Sequence, residues 1–182
     1  AMVAVFPAAI APAIGVALAV PPSLIGIQIS LLYFGAMLTS LTGGAVNQRL
    51  GACRTTQVAL VFLATGAALM SIGTLPVFVF ASLLMGFGYG LTNPAASHLL
   101  VRFTDTHRRG LVFSIKQTGV PLGGMLAGAV APVLAVAYNW RVAVLSLVIP
   151  AVLGLILLQQ RRQRWDGDRS RTITWRTSLF AD

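Results

Sequence analysis

The chain has 182 residues, of which 57% are hydrophobic and 9% charged, and its mean hydropathy is +0.84. Soluble domains carry about 25% charged residues, so a water-soluble globule is excluded; the hydrophobicity excludes disorder, and a single cysteine, Cys53, excludes a disulfide-built secreted domain. What remains is an integral membrane protein with a net charge of +9, and the placement of that charge shows its purpose.

A helix needs about 20 apolar residues to cross the hydrocarbon core of a bilayer. Ala1 to Val20 carries no charge and stops at Pro21-Pro22. It has no basic flank and does not begin with Met, so it is expected to be a first helix cut short rather than a signal peptide. Ser23 to Val46 follows without a charge and ends beyond Gly43-Gly44. Thr55 to Ile72, Pro76 to Val101, Leu111 to Ala137 and Val142 to Gln160 complete six candidate spans. They are continuously apolar rather than alternating, which favours helices over barrel strands, the two structures that satisfy every backbone polar group in lipid. The expectation is an all-α membrane protein with six transmembrane helices over residues 1–160. Residues 161–182 are polar, carry both signs and read as a linker or tail.

Arg49 and Arg54 lie between spans two and three, and Arg102, Arg108 and Arg109 between spans four and five. Arg161, Arg162, Arg164, Arg169, Arg171 and Arg176 follow span six. The opposite side holds only Arg141, and Lys116 alone lies within a span. The positive-inside rule places the even loops and both termini in the cytoplasm. The basic residues therefore mark orientation and do not form a nucleic-acid surface on a soluble domain. The expected partners are membrane lipid and a small-molecule solute.

Between spans two and three stands Gly44-Ala45-Val46-Asn47-Gln48-Arg49-Leu50-Gly51-Ala52-Cys53-Arg54. This resembles the cytoplasmic-loop signature of the major facilitator superfamily, Gly-x-Leu-Ala-Asp-Arg-x-Gly-Arg-Arg. Gly44, Arg49 and Gly51 match. Gln48 occupies the acidic position, Ala52 and Cys53 the two basic ones, and Arg54 comes one place late. Span five contains Gly119-Val120-Pro121-Leu122-Gly123-Gly124. It is similar to the Gly-Pro-x-x-Gly-Gly pattern of that superfamily's antiporters, with the proline displaced by one. In span four the family's Arg-x-x-Gln-Gly is represented only by Gly86, because Ser82 and Met85 stand at the other two positions.

The resemblance implies the first six-helix half of a twelve-helix transporter, built from two inverted three-helix repeats. A C-terminal half would be its partner. It implies a gating role for the loop at Gly44, Gln48, Arg49 and Gly51, and a helix-packing role for Gly119, Pro121, Gly123 and Gly124. Helices one, two, four and five would line the path.

Lys116 is the most informative single residue. It stands six residues past Gly110, about 9 Å into its helix at 1.5 Å per residue. A lysine within a span costs roughly 2.5–3.5 kcal/mol on insertion scales and as a rule faces a water-filled cavity. Two roles fit it: an anion-attracting or proton-linked group in the path, or a side chain snorkelling to the nearby interface. Gln117 either binds solute or bonds a neighbouring helix. Tyr89, Asn93 and Ser97 recur every four residues and share one face of span four, and Asn93-Pro94 removes a backbone hydrogen bond in mid-span. That stripe is a cavity wall or an interhelical seam. Gln28, in span two, is a further candidate for the path.

Gly86-Phe87-Gly88-Tyr89-Gly90 superficially resembles a channel filter, but it lies inside one long apolar span, whereas a filter is a re-entrant loop. Gly86-x-x-x-Gly90, Gly119-x-x-x-Gly123 and Gly124-x-x-x-Gly128 are spaced to let helix backbones approach. No catalytic residue is expected. The chain has no glutamate, and its four acids, Asp105, Asp166, Asp168 and Asp182, fall in loops or tail. His98 and His107 lack partners at metal-ligand spacing, so neither a metal nor a cofactor is expected. The reading is a secondary transporter of a small solute in a bacterial-type inner membrane, exchanger or exporter. The alternative is a non-transporting membrane scaffold or truncated product.

Overall fold

The computed structural model of the chain describes residues 2–21 and 23–166. The elements are α1 (Met2–Ala9), α2 (Ala11–Leu18), α3 (Ser23–Leu50), α4 (Ala52–Met70), α5 (Leu75–Phe103), a 3-10 turn (Thr106–Arg108), α6 (Arg109–Ala137), α7 (Trp140–Leu145) and α8 (Val148–Trp165). Every regular element among the described residues is helical. Among the described residues, five helical segments are long and apolar enough to cross a membrane: Gly26–Leu50, Ala52–Met70, Leu75–Phe103, Thr106–Ala137 and Trp140–Gln160.

The first apolar stretch is not one helix. α1 and α2 have 8 residues each and part at Ile10. Pro12 explains the break: it has no N–H for the carbonyl of Ala8, and its ring collides with that carbonyl. Pro12 instead sits in the first turn of α2, where a missing donor is harmless. Ala19 closes α2 in the left-handed region, φ 53°. The last stretch is divided likewise, with α7 and α8 joined through Ser146 and Leu147. Pro150 lacks the N–H that the Ser146 carbonyl would take, and Ile149 donates to that carbonyl at 3.3 Å instead. α8 runs on through Trp165, past the boundary at Gln160 that composition suggests.

Helix α5 is the centre of the bundle and packs on α3 and α4 with opposite faces. Gly86 and Gly90 face α3, where a Cβ at Gly86 would collide with the Leu32 carbonyl and one at Gly90 with Thr39 and Ala36. Gly88 faces α4, where a Cβ would stand 2.6 Å from the Ala59 carbonyl. The glycine-rich segment is thus an unbroken helix whose missing side chains let two neighbours approach on two sides. Thr39 Oγ1 adds an interhelical hydrogen bond to the Phe87 carbonyl at 3.2 Å. The pairings Leu32–Gly86 and Ala36–Gly90 rise together, so α3 and α5 run parallel, as two spans separated by one must.

α8 lies antiparallel on α4, α6 packs on α1, and α4 also meets α7. A core of Phe6, Ile10, Ile14, Leu32, Met70, Met85 and Val144 fills the spaces between them. At one end, Gly73 sits against Trp140 and Arg141. At the other, Arg102 Nη1 donates to the Trp165 carbonyl at 3.2 Å, and Asp166 meets the start of α4. Arg49, Arg54, Arg102, Arg108 and Arg109 therefore share one end of the bundle, and Arg141 stands at the other.

The close approach at Gly86 makes a direct forecast. Gly86→Val should destabilise the protein by about 1–3 kcal/mol, the usual cost of overpacking. Gly110→Ala, at a position with nothing within 4 Å of the new carbon, should leave stability unchanged or slightly higher. Thermal unfolding of both variants in mild detergent measures the contrast.

Candidate functional site

The polar residues of α5 and α6 form a ladder along the open side of the bundle. Tyr89 is the middle residue of α5, and Asn93 and Ser97 follow at helical spacing toward the basic end. Lys116 belongs to α6, which packs sparsely on α5. Its Nζ donates to Ser97 Oγ at 3.0 Å and lies 5.7 Å from the centre of the Phe113 ring. Both residues lie about 9–10 Å from the helix ends that face each other across the α5–α6 loop, at 1.5 Å per residue. The ammonium is therefore held at that depth by a hydroxyl. One of its three donors is used by Ser97, and no carboxylate meets it within salt-bridge distance among the described residues.

Above this pair the ladder continues. Asn93 is exposed, and the neighbouring Pro94 packs its ring into the space left at Gly43 of α3. Tyr89 meets Tyr33 of α3 edge to face, with ring centres 6.0 Å apart. Gln117 is exposed on α6, beside Ser114 and Thr118. The structure thus joins Lys116 to Ser97 and Tyr89 to Tyr33, with Asn93 between them along α5. Gln28 does not join this group. It is only 1% exposed, lies one turn before Leu32, and neither of its amide atoms has a hydrogen-bond partner among the described residues.

The glycine motif of α6 points elsewhere. A Cβ at Gly119, Gly124 or Gly128 would meet nothing within 4 Å. At these three glycines no described helix makes the close approach expected of the spacings. Pro121 is exposed, and Gly123 is half-buried. Gly119, Pro121 and Gly128 are thus uncovered, on more than one side of α6.

At the basic end, Gly44 and Gln48 are exposed and Arg49 is half-buried at the close of α3. Gly51 turns the chain with φ +88°, a conformation that favours glycine. Gly51 is the residue before α4, and the first N–H groups of that helix need an acceptor. Asp166 supplies it from the far end of the chain: its Oδ1 accepts from Cys53 N at 2.8 Å, and Asp166 is 7% exposed. A Cβ on Gly51 would run into the Asp166 carboxylate. Arg54 Nε lies 3.9 Å from Asp166 Oδ2, too far for a hydrogen bond. Cys53 is buried and its Sγ meets the Leu158 carbonyl at 3.2 Å.

Comparison with known proteins identifies the architecture. The sequence profile of the Major Facilitator Superfamily matches residues 1–179. The chain belongs to the major facilitator superfamily.

It is 29% identical over 133 residues to a hexuronate transporter of Bacillus subtilis (strain 168), covering 72% of this chain and 31% of that protein. It is 32% identical over 128 residues to plastidic glucose transporter 4 of Arabidopsis thaliana, covering 69% of this chain and 23% of that protein. Among solved structures it resembles a crystal structure of a peptide transporter POT in complex with alafosfalin. The TM-score is 0.72 at 22% identity, over 91% of this chain and 35% of that one. The chain thus spans about a third or less of the length of these relatives.

Within the superfamily's loop signature, the structure shows why Gly51 is glycine and where a carboxylate stands. Gln48 occupies the acidic position of the signature and is exposed. The carboxylate at the start of α4 comes instead from Asp166, beyond α8. Reading the sequence assigns Asp166 to a polar tail. The signal available was weak: one acid immediately after a run of arginines and a tryptophan.

The geometry separates helix capping from ion pairing. Asp166→Ala should cost about 1–2 kcal/mol, the range for loss of a helix cap. Arg54→Gln should cost well under about 1 kcal/mol, because a partly exposed pair without a hydrogen bond contributes little. Equal losses in denaturation midpoint for the two variants would show that the ion pair, rather than the cap, carries the contact.

Proposed function

We propose that the chain forms the first half of a secondary transporter for small organic anions, working by alternating access as an exchanger. In this reading a second six-helix half completes the protein, the solute path runs between the two, and each half rocks against the other about a midplane site. The observation that carries the proposal is Lys116, an ammonium inside a span held by Ser97 at 3.0 Å. Gln117 is the next residue of α6, exposed where Lys116 is half-buried, and Asn93 stands one turn before Ser97 on α5. An anionic solute would meet two remaining N–H donors of Lys116, with the amides of Gln117 and Asn93 and the hydroxyl of Tyr89 along the same ladder. Gln28, buried near the start of α3, would support the path rather than touch solute at first encounter.

Three further features support the reading. All four acids of the chain lie outside the spans, so this half offers no carboxylate to carry a proton and its intramembrane charge is cationic. The hexuronate transporter among its relatives is named for a carboxylate solute. The antiporter-like run Gly119, Pro121, Gly123 and Gly124 lies on α6, the least buried long helix, with Gly119 and Pro121 exposed, where it suits close packing against the second half. The loop at Gly44, Gln48, Arg49 and Gly51 lies at the end where the halves would part and is assigned to gating. The membrane is taken to be a bacterial-type inner membrane, with both ends of the chain in the cytoplasm.

Uptake of an organic anion by the complete protein tests the role of Lys116. Lys116→Gln removes a charge-assisted hydrogen bond of about 1.5–3 kcal/mol, so transport normalised to membrane abundance should fall by about tenfold or more. Lys116→Arg should keep part of it, because the charge persists while the geometry changes. A snorkelling lysine would leave both variants at wild-type rates.

Orientation is checked by labelling single cysteines in a Cys53→Ser background. An impermeant thiol reagent added outside intact cells should modify Asn139→Cys and spare Gln48→Cys and Thr106→Cys, all three being exposed positions. Outside labelling at the last two would reverse the topology.

A further inference from the structure

The side of the bundle formed by α4 and α8 carries two grooves that meet at Gln57. One, of 380 Å³, runs along α4 past Leu50, Arg54, Val58, Val61 and Phe62. The other, of 530 Å³, runs along α8 past Leu155, Ile156 and Gln159. Between them Gln57 Nε2 donates to Gln159 Oε1 at 2.9 Å, a bridge that ties the two helices and leaves one amide oxygen and one amide nitrogen facing the grooves. Val58, Val61 and Ile156 are exposed, so no described residue covers this surface. Lys116 lies on a different helix, α6, so these grooves are separate from the polar ladder.

Charge and depth are arranged along the grooves in one direction. Arg54 stands at the mouth, at the basic end of the bundle, with its side chain 35% exposed. Its nearest carboxylate is 3.9 Å away and already accepts from Cys53 N, so the guanidinium keeps donors for another anion. Seven residues on, about 10 Å deeper at 1.5 Å per residue, the walls at Val61 and Phe62 are wholly apolar. A cation at the interface with an apolar furrow leading into the hydrocarbon, and amides at the intermediate level, is the profile of one class of molecule.

We propose that these grooves hold an anionic phospholipid, with its phosphate on Arg54, its glycerol-ester region at the Gln57–Gln159 bridge and its acyl chains along Val58–Val61 and Leu155–Ile156. Acyl chains gain little by moving from bulk lipid to a lipid-facing groove, so selectivity rests on the headgroup. A basic residue at the membrane surface favours anionic over zwitterionic lipid by about fivefold.

Native mass spectrometry of the complete protein, purified in mild detergent and equilibrated with equimolar phosphatidylglycerol and phosphatidylcholine, reads this preference directly. The wild type should retain phosphatidylglycerol about fivefold over phosphatidylcholine, with excess inorganic phosphate failing to displace it. Arg54→Gln should bring the ratio close to one, Arg54→Lys should keep most of it, and Arg108→Gln should not change it. Val61→Trp combined with Ile156→Trp fills the furrows and should reduce retained lipid of both kinds, with thermal unfolding confirming that the variants are folded. An unchanged ratio in Arg54→Gln, displacement by phosphate, or undiminished lipid in the tryptophan variant would each overturn the assignment.

Discussion

Lipid offers helices no hydrophobic reason to associate, because acyl chains are as apolar as leucine, so the bundle depends on how closely backbones approach. In this chain that approach is concentrated on α5. Gly86 and Gly90 admit α3 on one face, and Gly88 admits α4 on another. Their alternation sets the register of three spans at once. With α5 so placed, Ser97 lies level with Lys116, and Tyr89 lies beside Tyr33. The polar ladder is a consequence of small residues that flank Tyr89 and lie within about two turns of Asn93 and Ser97.

The same reasoning applies to α6, with the opposite outcome. It is the least buried of the long helices, and a Cβ added at its Gly119, Gly124 or Gly128 would meet nothing within 4 Å among the described residues. A helix that packs on α1 through Ala127 and Ala131 while Gly119, Gly124 and Gly128 meet no close neighbour differs physically from α5, although the two look alike in composition. Lys116 joins α6 to α5 by a side-chain hydrogen bond to Ser97. A shift of α6 against α5 would therefore alter the setting of the one intramembrane charge directly.

Charges at the basic end serve two purposes. Clustered arginines orient a membrane protein, and the structure shows several of them also satisfying helix ends. Arg109 donates to the carbonyls of Val101 and Thr104 at the close of α5, and Arg102 to that of Trp165 at the close of α8. Asp166 does the complementary task for the N–H groups of α4. A carboxylate at a helix start and cations at helix ends each meet the favourable pole of the helix dipole. This end of the bundle is held by polar contacts, whereas the middle is held by packing.

By itself the sequence determined the properties that arise from composition and local spacing. Hydropathy delimited the apolar stretches, and arginine placement paired the loops by side. Helical spacing put Tyr89, Asn93 and Ser97 on one face, and short motifs pointed to the superfamily. These properties are carried by neighbouring residues, so a one-dimensional reading finds them. The tertiary structure decided everything that needs a distant partner. Identical glycine spacings are packed in α5 and bare in α6, because only the arrangement of other helices determines whether a missing side chain is filled by a backbone. Pro12 and Pro150 lie within apolar stretches that hydropathy joins, yet each interrupts a helix because its carbonyl partner loses a donor. Asp166 is a tail residue by composition and a helix cap by position, 113 residues from the amide it serves. Lys116 is legible as an unusual charge, but that it reaches Ser97 across two helices is a fact of their crossing, which no local pattern encodes.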